Sequence, residues 1–489
     1  MYRKDWIAKW AQYSPDKVAL KESGSGHQIT YKELNKRANY LADWLTRDLG
    51  LKKGDRLMVL AEHCIEYVAL FSCSQKTGII LVPVNYRLAP SEIDYLIADS
   101  APRVLIVERK FQELASSLTS KVPREYLESL PAGMLGEYTV EVLDEDDPVF
   151  ILYTSGSTGF PKGAIYTHKM LLWNSLNTSQ SLEITPSDHT IDCMPPFHTG
   201  GWNVLLTPML HRGASIVLMK KFDPERVLQL IDEENTNLFM GVPTMLKMMA
   251  ESSIFNDCSL ASIRYFIVGG EALPLDVIHL WHQRGVKIRQ GYGLTEVGPN
   301  ITSLHQDYAE QKIGSIGVPN FYVEYAILDD TGQPVPKGEV GEFCLKGPMV
   351  TPGYWRNKEA TEQSIVSGYF HTGDLVKEDR DGFLYMVDRK KCMFISGGEN
   401  VYPTEVERVI QELAEVNEAA VVGVSDEKWG EVGKAYLSLR PNMKITAEQI
   451  KAHCKAKLAG FKVPKHIEFM HEIPKNGSGK IDRKRLSGL

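Results

Sequence analysis

The sequence predicts a multi-domain α/β fold: a large N-terminal domain of layered α/β sheets, a small β-barrel-like subdomain, and a small α+β C-terminal domain. Three observations carry this. Short apolar runs alternate with helical stripes through the first half of the chain, the pattern of a largely parallel sheet with helices on its faces. From Ile316 to Val387, β-type runs are instead separated by glycine turns. A compact mixed pattern follows Asp388-Arg-Lys-Lys-Cys392, which divides the chain into domains at 1–390 and 391–489.

The elements follow in order. Leu34, Ala38, Leu41, Ala42 and Leu45 form an i, i+4, i+7, i+8, i+11 stripe, which predicts a helix facing a core after a short extended stretch at residue 28. Strands are expected at 54–60, 79–83 and 104–107, with helices at 66–76 and 90–99 between them. The apolar run Val149-Phe-Ile-Leu152 predicts a buried strand. Beyond it come helices at 168–180, 223–234 and 243–251, with strands at 215–219, 238–240, 264–268 and 286–290. Met245, Met248 and Met249 read as core filler. In the last domain, helices are expected at 403–413 and 447–458, and strands at 418–424, 435–439 and 466–470.

Composition bounds the function. With 489 residues, 43% hydrophobic and 24% charged, the chain reads as a soluble protein of two or three domains. A net charge of −7 argues against nucleic acid as a general partner. Seven cysteines without a C-x-x-C pair argue for a reducing compartment and against a disulfide framework or structural zinc. Met1 to Trp10 is amphipathic and lacks the apolar core of a signal peptide, and no apolar run nears the ~20 residues of a spanning helix. The expected location is cytoplasmic, with no stable membrane insertion. The Trp6/Trp10 segment is expected to pack on the body rather than on a lipid surface.

Chemistry concentrates in a few loops. Tyr153-Thr-Ser-Gly-Ser-Thr-Gly-Phe-Pro-Lys-Gly163 offers hydroxyls from Thr154, Ser155, Ser157 and Thr158, and a cation from Lys162. Gly156, Gly159 and Gly163 let its N–H groups converge, as a polyphosphate requires. Its spacing departs from the Walker A pattern, so it is a different phosphate loop. Gly291-Tyr-Gly-Leu-Thr-Glu296 offers Tyr292 for stacking on a base, Thr295 for a phosphate oxygen and Glu296 for Mg²⁺. Tyr369-Phe-His-Thr-Gly-Asp374 sets an acid after a tight turn, suited to ribose hydroxyls, and Arg389 follows as a partner for ribose or phosphate. Ser396-Gly-Gly-Glu-Asn400 is a second glycine turn, and Pro474-Lys-Asn-Gly-Ser-Gly-Lys480 delivers a lysine from a glycine-rich loop.

Taken together and in this order, these motifs closely resemble the adenylate-forming superfamily of acyl-CoA synthetases, luciferases and peptide-synthetase adenylation domains. The likeness runs from about Thr30 to Arg483. It implies that Thr154, Ser155, Ser157, Thr158 and Lys162 hold the β- and γ-phosphates of ATP, with Gly156 and Gly159 among the cofactor-binding loop residues. It implies adenine contacts at Gly270, Glu271 and Ala272, an aromatic stacking on the base at Tyr292 between cofactor-binding Gly291 and Gly293, and a phosphate contact at Thr295. Glu296 is the implied Mg²⁺ ligand, Asp374 and Arg389 the ribose pair, and Lys480 the catalytic lysine of adenylation. Lys391 is the implied hinge, and Gly397-Gly398 lies along the path of an incoming thiol. The position after the hinge is commonly aspartate in relatives and is Cys392 here.

Met194-Pro-Pro-Phe-His-Thr-Gly-Gly-Trp202 resembles the segment that opens the acyl pocket, with His198 beside the reacting carboxylate. Phe197, Trp202, Met240, Gly241, Val242 and Val297 are candidate walls. None is an ionic anchor for an amino acid. The resemblance therefore implies ATP- and Mg²⁺-dependent activation of a carboxylic acid as acyl-AMP, then transfer to coenzyme A. A medium- or long-chain fatty acid is the expected substrate, with an aryl acid of the benzoate or o-succinylbenzoate type as the alternative. Small molecules are the expected partners, with a homodimer as the one assembly considered.

Overall fold

Thr30 opens the first long helix by capping it: its hydroxyl accepts the Glu33 N–H while the Glu33 carboxylate accepts the Thr30 N–H, a reciprocal capping box. The helix Tyr31–Asp43 buries Leu34, Ala38, Leu41 and Ala42 completely, and a π-helical turn over Trp44–Asp48 adds Leu45. Truncating one of these leucines to alanine costs about 2–5 kcal/mol through lost contacts and the cavity left behind. In this computed structural model the described residues are 4–154, 161–270, 273–396, 399–427, 429–476 and 479–489, with Asn400 described by its backbone alone.

These residues divide into two units: Met1–Tyr325 with Leu345–Phe370, and Ala326–Cys344 with His371–Leu489. The first unit holds two sheets. A six-stranded sheet runs in the order Arg124–Tyr126, Val104–Val107, Arg56–Leu60, Ile80–Pro83, Pro148–Thr154, Lys162–Thr167. A nine-stranded sheet runs Val318–Pro319, Thr302–Ser303, Ile288–Tyr292, Tyr265–Val268, Leu238–Gly241, His189–Asp192, Ser215–Leu218, Val18–Glu22, Gln28–Thr30. Their central pairs are parallel, and helices such as Ile65–Thr77 and Pro224–Glu233 cover them. The α/β class read from the sequence is the class observed.

The phosphate loop differs from its expected setting. A second strand, Lys162–Thr167, stands between it and the helix His168–Ser181, and pairs antiparallel with Pro148–Thr154 in the register Thr154↔Lys162. The strands on either side of residues 155–160 are therefore neighbours in one sheet. Gly163 and Ala164 weaken the β propensity of this strand in the sequence, and its partner supplies the order. Among the three grouped methionines, Met245 and Met249 are buried and Met248 is exposed, because it falls on the outer face of the helix Pro243–Ala250. Trp6 and Trp10 pack on the body: the Trp6 ring stacks 4.1 Å from His211, and Trp10 Nε1 donates to the His211 carbonyl at 2.9 Å. Among the described residues no helix is long and apolar enough to cross a membrane.

The second unit contains the antiparallel pair Tyr369–Glu378 with Leu384–Arg389, described here from His371 onward. It also holds a sheet in the order Glu399–Val401, Phe394–Ser396, Gly430–Leu439, Val416–Asp426, with His466–Phe469 paired parallel to Gly430–Leu439. Its own core, including Val406, Ile410, Val421, Leu437 and Ile450, lies between this sheet and the helices Pro403–Gln411 and Ala447–Lys457.

Candidate active site

In the first unit, three adjacent parallel strands end together: Leu238–Gly241, Tyr265–Val268 and Ile288–Tyr292. The crevice at the carboxyl ends of such strands is where open α/β sheets bind ligands. Gly241 and Val242, Gly270, and Gly291 and Tyr292 all stand at these ends. A Cβ on Gly270 would lie 3.8 Å from Val242 Cγ1, so the segments expected to hold adenine and the acid adjoin. Gly293 is fixed as glycine by close approach: a Cβ there would meet the Pro299 carbonyl oxygen at 2.2 Å. Gly270 has φ +90°, a conformation that side chains disfavour.

The 3₁₀ turn Thr295–Val297 follows, with Glu296 and Val297 buried. Thr154, the last residue of its strand, donates through Oγ1 to Glu296 Oε1 at 3.0 Å. Tyr354 donates its hydroxyl to the same oxygen at 3.1 Å, and Lys162 Nζ sits 5.4 Å from the centre of the Tyr354 ring. Burial, then the Glu296 carboxylate, push the Tyr354 phenol well above its ordinary range, which keeps it a proton donor. The Thr351 N–H donates to the Glu296 carbonyl at 2.7 Å. Thr154 and Glu296, far apart in sequence, therefore meet, and Lys162 stands beside the Tyr354 ring that reaches the same acid. Tyr354 is the residue the sequence did not reveal. It stands 58 residues from Glu296, held by the backbone bonds Ile165 N–H to Gly353 and Trp355 N–H to Gly163, and no local pattern marks it.

The segment expected to open the acyl pocket runs past Gly200. A Cβ there would lie 3.6 Å from Met194 Cε and 3.9 Å from Met240 Cε. Phe197 is buried edge-on against Tyr86, with His198 next to it, half-buried. Trp202 is completely buried. Its ring lies 5.2–5.4 Å from those of Tyr67, His63, Phe150 and Phe71, and Nε1 donates to the Pro196 carbonyl at 2.6 Å. Below it, His63 Nε2 faces the Gly201 carbonyl at 3.0 Å and Asp192 Oδ2 at 3.6 Å. Burial draws the His63 imidazole down to about 4, and burial pushes the Asp192 carboxyl up to about 8.

In the second unit, Asp374 and Arg389 face each other across the strand pair. Arg389 Nε lies 3.0 Å from Asp374 Oδ1, and the acid is buried while the guanidinium is half exposed. The Asp374 N–H donates to Thr372 Oγ1 at 3.1 Å; the tight turn expected before the acid is instead part of the continuous strand Tyr369–Glu378, kinked at Gly373 with φ +69°. Lys391 is exposed in a turn closed by the Cys392 N–H on the Arg389 carbonyl at 2.8 Å. Lys480 is exposed on a loop where its N–H donates to Asn476 Oδ1 at 3.2 Å. Ser155, Gly156, Ser157, Thr158, Gly159, Glu271, Ala272, Gly397 and Gly398 lie outside the described residues.

A layered α/β body in which Thr154 meets a buried acid, and a second, α+β unit bearing an exposed loop lysine, fit the class of adenylate-forming enzymes. The chain belongs to the AMP-binding enzyme family: residues 7–355 match that family, and residues 405–480 match the AMP-binding enzyme C-terminal domain. It is 38% identical to a feruloyl-CoA synthase of Amycolatopsis sp., over 97% of this chain and 96% of that one. It is 34% identical to the long-chain-fatty-acid–CoA ligase FadD13 of Mycobacterium tuberculosis, over 96% of this chain and 95% of the relative. The solved o-succinylbenzoate coenzyme A synthetase of Bacillus subtilis, in complex with ATP and magnesium ion, superposes with a TM-score of 0.89. That structure is 31% identical, with 99% of each chain covered.

Proposed function

We propose that the chain is an AMP-forming carboxylate–CoA ligase that uses ATP, Mg²⁺ and coenzyme A. The contact of Thr154 with Glu296 carries this reading, because it joins the phosphate loop to a buried acid whose hard oxygens suit Mg²⁺. Mg²⁺, when bound, supplies positive charge to the phosphate oxygens.

A carboxylate resists attack because a second negative charge must be placed on it. Joining it to AMP makes a mixed anhydride and releases pyrophosphate. Lys162 and the loop hydroxyls hold the leaving phosphates, Thr295 an α-phosphate oxygen, and Tyr292 the adenine face. Asp374 and Arg389 hold the ribose, Lys480 bridges the carboxylate and the α-phosphate, and His198 orients the carboxylate. The second half-reaction places the CoA thiol where Lys480 acted, so residues 391–489 turn about Lys391 between the two steps, with Gly397-Gly398 along the thiol's path.

The acid has an apolar body, in keeping with Met194, Phe197, Met240, Val242 and Val297. Trp202, completely buried against Phe71, Phe150 and Tyr67 directly after Gly200-Gly201 in the chain, favours a compact aromatic acid. The identity to a relative named feruloyl-CoA synthase supports the same choice. A medium- or long-chain fatty acid, expected from the sequence, is the second reading, supported by the likeness to FadD13. A panel of carboxylic acids assayed for pyrophosphate release, with and without CoA, separates them. Highest kcat/KM with hydroxycinnamate-type acids is expected, and a maximum at long aliphatic acids overturns the aromatic choice.

A further inference from the structure

Within the second unit, three side chains of different type converge away from every residue used above except by neighbourhood. Glu342 and Cys344 alternate around Phe343 on one strand, so they project from the same face. His371 stands on the neighbouring strand, which the Thr372 hydroxyl ties to the Phe343 carbonyl at 2.6 Å. Cys344 Sγ lies 3.4 Å from His371 Nδ1, and His371 Nδ1 lies 3.4 Å from Glu342 Oε2. All three ligand atoms fall within 4.8 Å of one another.

The two separations to His371 match those of a metal site. Tetrahedral zinc with bonds of about 2.0–2.3 Å places neighbouring ligand atoms roughly 3.4–3.6 Å apart. A thiolate, an imidazole and one carboxylate oxygen form a borderline-soft set that suits Zn²⁺ and disfavours Mg²⁺. We propose that Glu342, Cys344 and His371 bind a divalent cation of the zinc class, with one coordination position left for water or an outside ligand.

The surroundings fit the remaining requirements of such a site. The Gly373 N–H donates to Glu342 Oε1 at 3.0 Å, which orients the carboxylate and leaves Oε2 toward the histidine. Cys344 and Glu342 are buried, and the His371 side chain is 26% exposed, so the imidazole edge is the way in. Lys390 Nζ is the competitor, 3.3 Å from Glu342 Oε2. It also pairs with Asp330 Oδ1 at 2.8 Å, a partner it retains when a cation takes the glutamate oxygen. His371 leads through Thr372 and Gly373 to Asp374, so an occupant restrains the strand that carries the ribose acid.

The test is titration of the full-length, chelator-stripped protein with Co²⁺, read by its absorption spectrum. One equivalent with a thiolate-to-cobalt charge-transfer band is expected, bleached by Zn²⁺ and unaffected by millimolar Mg²⁺. The band disappears in Cys344→Ser, and binding weakens at least tenfold in His371→Ala, a half-exposed position where metal-free thermal unfolding checks the fold. Lys390→Gln tightens binding. Absence of a charge-transfer band, or a band unchanged in both Cys344→Ser and His371→Ala, overturns the proposal.

Discussion

The hydroxyl of Thr154 donates to Glu296 Oε1 at 3.0 Å, and the phenol of Tyr354 reaches the same oxygen at 3.1 Å. Two donors on one carboxylate oxygen fix the direction of the other. Hydrogen bonds to a charged group contribute about 1.5–3 kcal/mol. Tyr354→Phe is therefore expected to lower the rate of ATP–pyrophosphate exchange by roughly ten- to a hundredfold and to raise the Mg²⁺ concentration required for half-maximal rate. Glu296→Gln removes the charge itself and is expected to lose about a hundredfold or more. Exchange measured across a Mg²⁺ series decides it, and an unchanged Mg²⁺ requirement in Tyr354→Phe removes that residue from the site.

The Asp374–Arg389 pair calls for a different measurement. Asp374 is buried against a half-exposed guanidinium, so its carboxylate is held in place before ATP arrives. If it accepts the ribose hydroxyls, Asp374→Asn raises the KM for ATP by about tenfold or more, as expected for loss of a charge-assisted hydrogen bond. The same substitution removes most of the preference for ATP over 2′-deoxy- or 3′-deoxy-ATP. Equal discrimination by both proteins shows that the acid only braces the strand pair.

In the role proposed for it, Lys480 separates the two half-reactions: its charge would serve the adenylation transition state and not the thioester step. Lys480→Ala is expected to abolish acyl-AMP formation and to retain CoA acylation from a supplied acyl-adenylate. Equal loss of both steps, followed by product chromatography, removes the assigned role.

Where the sequence spoke clearly, it did so through periodicity and through loops. The stripe from Leu34 to Leu45 and the run Val149–Leu152 state their burial in their own spacing, and they fold as spaced. Thr154, Lys162, Glu296 and Asp374 were legible because glycines and hydroxyls cluster beside them, and Arg389 through the charged run Asp388-Arg-Lys-Lys391. Tyr354 was not, since its role comes from strand Lys162–Thr167 lying beside Gly353, a pairing without a local signature. The same holds for His63 and Asp192. Each is unremarkable on its own element, and only the closing of the sheet against helix Ile65–Thr77 sets them 3.6 Å apart.

That buried pair makes stability depend on pH with a sign that can be worked out. His63 titrates near 4 when folded against 6.5 ordinarily, so between those values the unfolded chain binds the extra proton and stability is lost as pH falls. His168, drawn down to about 3, and His211, drawn down to about 4, act in the same direction. Asp192 titrates near 8 against 3.8, so the folded chain keeps its proton and stability is lost as pH rises through that window. From pH 4 to 6.5 the acid opposes the histidines. From 6.5 to 8 it acts without them, with a slope of at most about 1.4 kcal/mol per pH unit. Asp192→Asn keeps an acceptor for the Met194 N–H and removes the titration. Urea midpoints of the variant are expected to rise more steeply from pH 4 to 6.5 and to stay flat from 6.5 to 8, where the parent protein declines. Parallel curves above pH 6.5 place the Asp192 titration in the ordinary carboxylate range.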